Sequence, residues 1–234
     1  MARMFTRICG SAAALLLAAA STAAENPVPG ALPAAGTYKL ERIMTAPDGK
    51  VLNIDGTEHR LSSFVTGKVT LLTFMYTSCA DADGCPLAYG VLRALKRSLD
   101  AMPGMKQSVR FVSLSFDPAH DTPDVMRSYG GDNARDVKGL PWYFLTTRST
   151  LELKPLLNGL DQDLAVAVDK GGPASLGHGP GMAHGTSTIM MSHLLKVFLI
   201  DTKGQVREIY TNSFLKPDVL QRDIETLLLE SQRR

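Results

Sequence analysis

The chain has 234 residues, 44% of them apolar, with 25 Lys and Arg against 23 Asp and Glu. That balance fits one domain with a buried core and excludes a disordered chain. A net charge of +2 lacks the basic surplus of a nucleic-acid binder, and three cysteines are too few for a disulfide-stapled scaffold.

The N-terminus reads as a targeting segment. Arg3 and Arg7 form a charged head, residues 11–20 are an Ala/Leu run, and Ser21-Thr22-Ala23-Ala24 supplies a small-residue exit. The run is shorter than the roughly 20 apolar residues of a spanning helix. A signal peptide over residues 1–24 is therefore expected, with an uncleaved membrane tether as the alternative. Cys9 precedes the apolar run, so it is not the cysteine that lipidation after such a run would use. Cleavage leaves 23 basic and 23 acidic side chains and only Cys79 and Cys85, in an oxidising space such as the bacterial periplasm.

Residues 25–36 are rich in Pro, Gly and Ala and read as a disordered or extended lead-in. Residues 38–61 alternate around the turn signals Pro47-Asp48-Gly49 and Asp55-Gly56, the pattern of short strands. Residues 69–75 are almost continuously apolar and predict a buried central strand. That strand runs into Tyr76-Thr77-Ser78-Cys79. After Cys85, Pro86 suits a first helical turn. Leu87, Val91, Leu92, Leu95, Leu99 and Met102 then keep helical spacing until Pro103-Gly104.

Residues 109–116 predict another strand. Thr122-Pro123 opens a helix expected to end at Gly130-Gly131. A strand is expected over 142–146 and a helix over 149–157. Residues 169–188, crowded with Gly and Pro, read as a loop. Residues 194–200 predict a third strong strand, turned by Thr202-Lys203-Gly204 into an antiparallel partner over 205–210. Pro217 opens a closing amphipathic helix carrying Val219, Leu220, Ile224, Leu227 and Leu228.

Strand, helix, strand, helix, hairpin and closing helix, with a dithiol where the first strand meets the first helix, is the thioredoxin pattern. The expected fold is α/β and thioredoxin-like: a central mixed sheet flanked by helices, with an N-terminal β extension. The domain is expected to span residues 37–234, with 169–188 as an insertion.

Cys79 and Cys85 carry the chemistry. At a helix N-terminus, unpaired N–H groups and the macrodipole favour a thiolate, the nucleophilic and metal-binding form. Asp81 and Asp83 between them oppose thiolates but welcome a cation. An inert disulfide closing a small loop is the alternative. Asp121 or Thr122 before Pro123 reads as a helix cap. Asp117 reads as a turn residue, with a place beside a metal loop as its second option.

Phe74-Met75-Tyr76-Thr77-Ser78-Cys79, Cys85-Pro86-Leu87, the run from Phe111 to Pro118, Asp121-Thr122-Pro123, and His193 ahead of the late strand together resemble the SCO/SenC family. The likeness extends from about Leu40 to Leu228. It implies a thioredoxin-like domain holding copper through Cys79, Cys85 and His193, with no catalytic residue in the enzymatic sense. Two thiolates suit Cu(I), and the imidazole accommodates Cu(II). Family members deliver copper to the CuA site of cytochrome c oxidase, so the implied partners are the apo-subunit of a copper enzyme or its assembly factors. Neither nucleic acid nor stable membrane insertion is implied. The family spacing is Cys-x3-Cys, whereas five residues separate the cysteines here.

Some relatives instead reduce thiols, so Cys79 and Cys85 as the redox pair of a thiol-disulfide oxidoreductase is the alternative function. Met190-Met191-Ser192-His193-Leu194 lacks the proline that such enzymes carry before the corresponding strand. Peroxiredoxin chemistry needs Pro-x-x-x-Thr/Ser-x-x-Cys. Leu72 and Tyr76 stand at those positions for Cys79, and Ser78 and Ala82 for Cys85. In the glycine-rich loop, His178, Met182 and His184 offer an auxiliary copper site, though incidental residues of an exposed insertion are the preferred reading.

Overall fold

The computed structural model describes residues 32–162, 165–169, 188–192 and 194–233. A six-stranded mixed sheet forms the centre. Its middle is β4 (Val69–Met75), and the chain before it supplies β1 (Met44–Thr45), the hairpin β2 (Lys50–Leu52) and β3 (Glu58–Arg60), and the short helix α1 (Ser62–Val65). Then come α2 (Cys85–Asp100), the single turn α3 (Met105–Ser108), β5 (Val109–Ser115), α4 (Pro123–Arg135), β6 (Trp142–Leu145) and α5 (Thr150–Gly159). The C-terminal part adds β7 (Ala165–Asp169), β8 (Thr188–Ser192), β9 (Val197–Ile200), β10 (Gln205–Tyr210) and α6 (Pro217–Gln232).

The sheet order is β1-β10-β9-β4-β5-β6. β5 and β6 run parallel to β4, whereas β9 is antiparallel to it, with Val197 opposite Thr73. Every residue of β4 and β5 is buried, because these inner strands have layers on both faces. On α2 the buried face includes Ala88, Leu92, Leu95 and Leu99; Leu87, Val91 and Met102 of the stripe expected from the sequence are partly buried. Each such leucine contributes about 1.5–3 kcal/mol through burial. The helix packs on β4 and α6. Asp223 of α6 accepts the hydroxyls of Tyr38 at 2.5 Å and Tyr210 at 2.7 Å, fastening α6 to the sheet and to the chain before β1. Within the lead-in, the Gly36 N–H donates to Thr226 Oγ1 at 3.0 Å.

The fold is thus α/β and thioredoxin-like, with helices flanking a mixed sheet and an N-terminal β strand. Details depart from the sequence reading. Of residues 38–61, β2 and β3 form a separate hairpin, while β1 joins the central sheet beside β10. The helix expected to stop at Gly130-Gly131 resumes and ends at Arg135. Gly131 takes φ 52 and ψ −127, so the glycine pair kinks the helix without ending it. Asp169 and Thr188, taken as the ends of a loop, face each other in a two-stranded ladder of β7 and β8. The strand expected from residue 194 begins at Val197.

Candidate metal centre

β4 delivers the chain to the dithiol, and α2 begins on its second cysteine. The Cys79 N–H donates to the Tyr76 carbonyl at 3.2 Å, closing a turn directly after the strand. In the intervening loop the Asp83 N–H donates to Asp81 Oδ1 at 3.1 Å and the Gly84 N–H to the Asp81 carbonyl at 3.0 Å. Asp81 and Asp83 are exposed. Asp81 therefore shapes the five-residue loop through local bonds. Cys85 is the first residue of α2 and Pro86 the second, where a missing N–H costs nothing.

Neither cysteine is in a disulfide; Cys79 is half-buried and Cys85 buried at 2% exposure. Their side chains are hydrogen-bonded to each other. Burial pushes the Cys85 thiol up strongly, and the neighbouring Cys79 sulfur adds to it; the N–H groups of Tyr76 and of Cys85 itself pull the other way. Desolvation thus outweighs the helix N-terminus at Cys85, correcting the expectation that the helix start would favour a thiolate at both sulfurs. Behind Cys85, a cavity of about 10 Å³ bordered by Thr73, Ser113, Tyr89 and Tyr129 is at the lower limit for a single water.

Tyr76 matters more than its place in the sequence motif suggested. It is pushed up to about 12 by burial, then by the charge of Cys79 and by a hydrogen bond to that sulfur. The Tyr76 hydroxyl and the Cys85 thiol therefore converge on the Cys79 sulfur.

Asp121 is not the cap of α4. Thr122 is, its Oγ1 accepting from the Val125 N–H at 3.4 Å. Asp121, 1% exposed, turns to the dithiol loop and accepts from the Thr77 N–H at 3.1 Å, from the Thr77 hydroxyl, and from the Ser115 hydroxyl at 2.5 Å. Asp117 serves its own turn: its carbonyl accepts the N–H groups of His120 and Asp121, and its Oδ2 lies 2.8 Å from His120 Nδ1.

His193, His178, Met182 and His184 lie outside the described residues. Among the described residues no three His, Cys, Asp or Glu side chains gather as a metal-holding group, so the structure brings together Cys79 and Cys85 of the proposed set. At the same end of the sheet, Leu194 and Leu195 lead into β9, the Leu194 carbonyl accepting from Gln162 Nε2 at 3.0 Å. Residues 211–215 follow β10 there, and Asn212 Nδ2 donates to the Asp83 carbonyl at 2.7 Å.

Residues 48–150, which hold β4, the dithiol loop, α2 and the Asp117–Asp121 turn, match the SCO1/SenC family. Over that stretch the chain is similar to the SCO/SenC family. Its cysteines stand at a Cys-x5-Cys spacing. No curated protein matches the chain. Among solved structures it resembles a SCO1/SenC family lipoprotein from Bacillus anthracis at 23% identity and TM-score 0.58, covering 83% of this chain and 99% of that one. It also resembles Arabidopsis thaliana ScoI with copper bound, at 19% identity and TM-score 0.56, covering 76% and 97%. Yeast Sco1 with copper bound is similar at 18% identity and TM-score 0.56, covering 82% and 90%. At these identities the structural likeness speaks for the fold alone.

Proposed function

We propose that this chain is a periplasmic metallochaperone of the SCO/SenC type. It takes up one copper ion through Cys79, Cys85 and His193 and passes it to the apo-subunit of a copper enzyme, a CuA-type site of cytochrome c oxidase. The observation that carries this reading is the hydrogen-bonded pair of thiols where β4 runs into α2, Cys85 buried and Cys79 half-buried. Two bare thiolates at that spacing in a dry site repel each other and lose solvation. A soft monovalent cation that displaces the thiol protons removes both penalties, and thiolate is the ligand class that suits Cu(I). The exposed carboxylates of Asp81 and Asp83 add a negative rim that favours approach of a cation.

His193 supplies the nitrogen ligand in this reading. Support comes from topology: β9 is antiparallel to β4, so the chain entering β9 and the chain leaving β4 occupy one end of the sheet. Copper-bound members of the fold, from Arabidopsis thaliana and yeast, favour the same cargo. Transfer proceeds by ligand exchange, the half-buried Cys79 being the sulfur that an incoming ligand reaches first. Among the described residues no helix is long and apolar enough to cross a membrane.

The test is titration of the reduced protein, residues 25–234, with Cu(I) against a competing chelator, followed by Cu(II) addition and visible spectroscopy. One Cu(I) per chain and a thiolate charge-transfer band are expected. Cys79→Ser and Cys85→Ser abolish both, and His193→Ala weakens Cu(II) retention most. Copper binding that survives both cysteine substitutions overturns the reading.

The hydrogen-bonded thiols also favour a second reading, a dithiol that reduces a partner's disulfide by thiolate attack and resolution. His193→Ala separates the two, because reductase activity survives that substitution and copper handling does not.

A further inference from the structure

Asp121 is buried, and among the described residues its hydrogen-bond partners are neutral donors, two of them from Thr77. Thr77 is the second residue of the turn that the Cys79 N–H closes onto Tyr76. One carboxylate thus grips both the backbone and the side chain of the residue that aims Cys79. Asp121 is itself held in place. Its N–H donates to the Asp117 carbonyl at 2.8 Å, and Thr122 starts α4 beside it.

Cys85 is fixed differently, by the first turn of α2 and by the core behind it. The five residues between the cysteines leave Cys79 on the longer tether, and a longer tether lowers the effective concentration of one thiol at the other. We infer that Asp121 is a positioning residue for the dithiol: by clamping Thr77 to the β5–α4 turn it holds Cys79 against Cys85, offsetting the wide spacing of the pair. The inference rests on the dithiol being the reactive centre and is independent of whether copper is its cargo.

The effective concentration is measured by equilibrating the metal-free protein with reduced and oxidised glutathione. The two protein thiols give up two electrons and two protons, forming one disulfide, while one glutathione disulfide becomes two glutathione thiols. Loosening Cys79 makes the protein disulfide harder to form. Asp121→Asn and Thr77→Val are expected to lower the equilibrium constant about tenfold, raising the reduction potential by about 30 mV. Ser115→Ala, which removes a donor from Asp121 without touching the dithiol loop, is expected to change the constant less than about twofold.

Thermal melts of each variant separate general destabilisation from this local effect, and Thr77→Val carries the test if Asp121→Asn does not fold. The inference is overturned if Thr77→Val stays within about twofold of the parent, or if Ser115→Ala shifts the constant as much as Thr77→Val does. Failure of the parent to bind copper would overturn the metallochaperone reading and leave this equilibrium intact.

Discussion

Asn212 donates through Nδ2 to the carbonyl of Asp83 at 2.7 Å, so the turn after β10 holds the loop between the two cysteines from outside. The contact joins residues 129 positions apart, and it restrains the stretch that the extra loop length would otherwise free. Asn212→Ala should leave global stability within about 1 kcal/mol, since the bond is exposed and neutral. Amide hydrogen exchange in residues 80–84 should accelerate several-fold at the same time. Unchanged exchange there would mean that the Asp81 turn alone holds the loop.

The two thiols should differ in reactivity. Cys85 is buried and its thiol is pushed up by burial and by the adjacent Cys79 sulfur, so it stays protonated at neutral pH. Cys79 is half-buried and open to reagent. Iodoacetamide at pH 7.5 should therefore modify Cys79 at least about tenfold faster than Cys85, since the thiolate is the nucleophile. Peptide mapping after partial alkylation measures the ratio. Equal rates would mean that the buried wall around Cys85 opens readily in solution.

Gly130 is required for a reason that its sequence context conceals. A Cβ at this position would lie 2.7 Å from both Phe144 Cδ2 and Ala134 Cβ. Gly130→Ala gains about 1 kcal/mol of helix propensity but forces an overpacked contact costing about 1–3 kcal/mol. The net expectation is a loss of about 1 kcal/mol, read as a lowered urea midpoint at unchanged slope. Stabilisation by this substitution would show that α4 shifts away from β6 at no cost.

The local features of the chain were legible in advance. The apolar run of β4, the leucine stripe of α2, Pro86 in the first helical turn and the Thr122-Pro123 helix start all follow from residues near one another in sequence. Contacts that span the fold were not. Thr77 and Asp121 are 44 residues apart, and local rules make an Asp before Thr-Pro a cap, so the link to the dithiol is visible only once β4 and β5 lie side by side. The β7–β8 ladder hid similarly, because its strands are short and separated by a glycine-rich stretch that gives no pairing signal. At Cys85 the helix start was readable but its burial was not, and burial is what pushes its thiol up.

Lys96 offers a pH-dependent test of how α2 is fixed. Its ammonium is buried on α2, 2.7 Å from both Asp100 and Asp136. Asp136 is lowered to about 2 from the usual 3.8, chiefly by the hydrogen bond from Lys96 and then by the N–H of Gly139. A carboxylate depressed in the folded state contributes stability that is fully present above its unfolded value and disappears as pH falls through the folded one. The window is therefore about pH 4 down to about pH 2. Asp136 is about a third exposed, so solvent screening reduces its contribution to about 1 kcal/mol. Asp136→Asn should lose that amount at pH 7, and the gap between variant and parent in urea titrations should close as pH falls toward 2. A gap that stays constant across this range would assign the loss to packing and not to the ion pair.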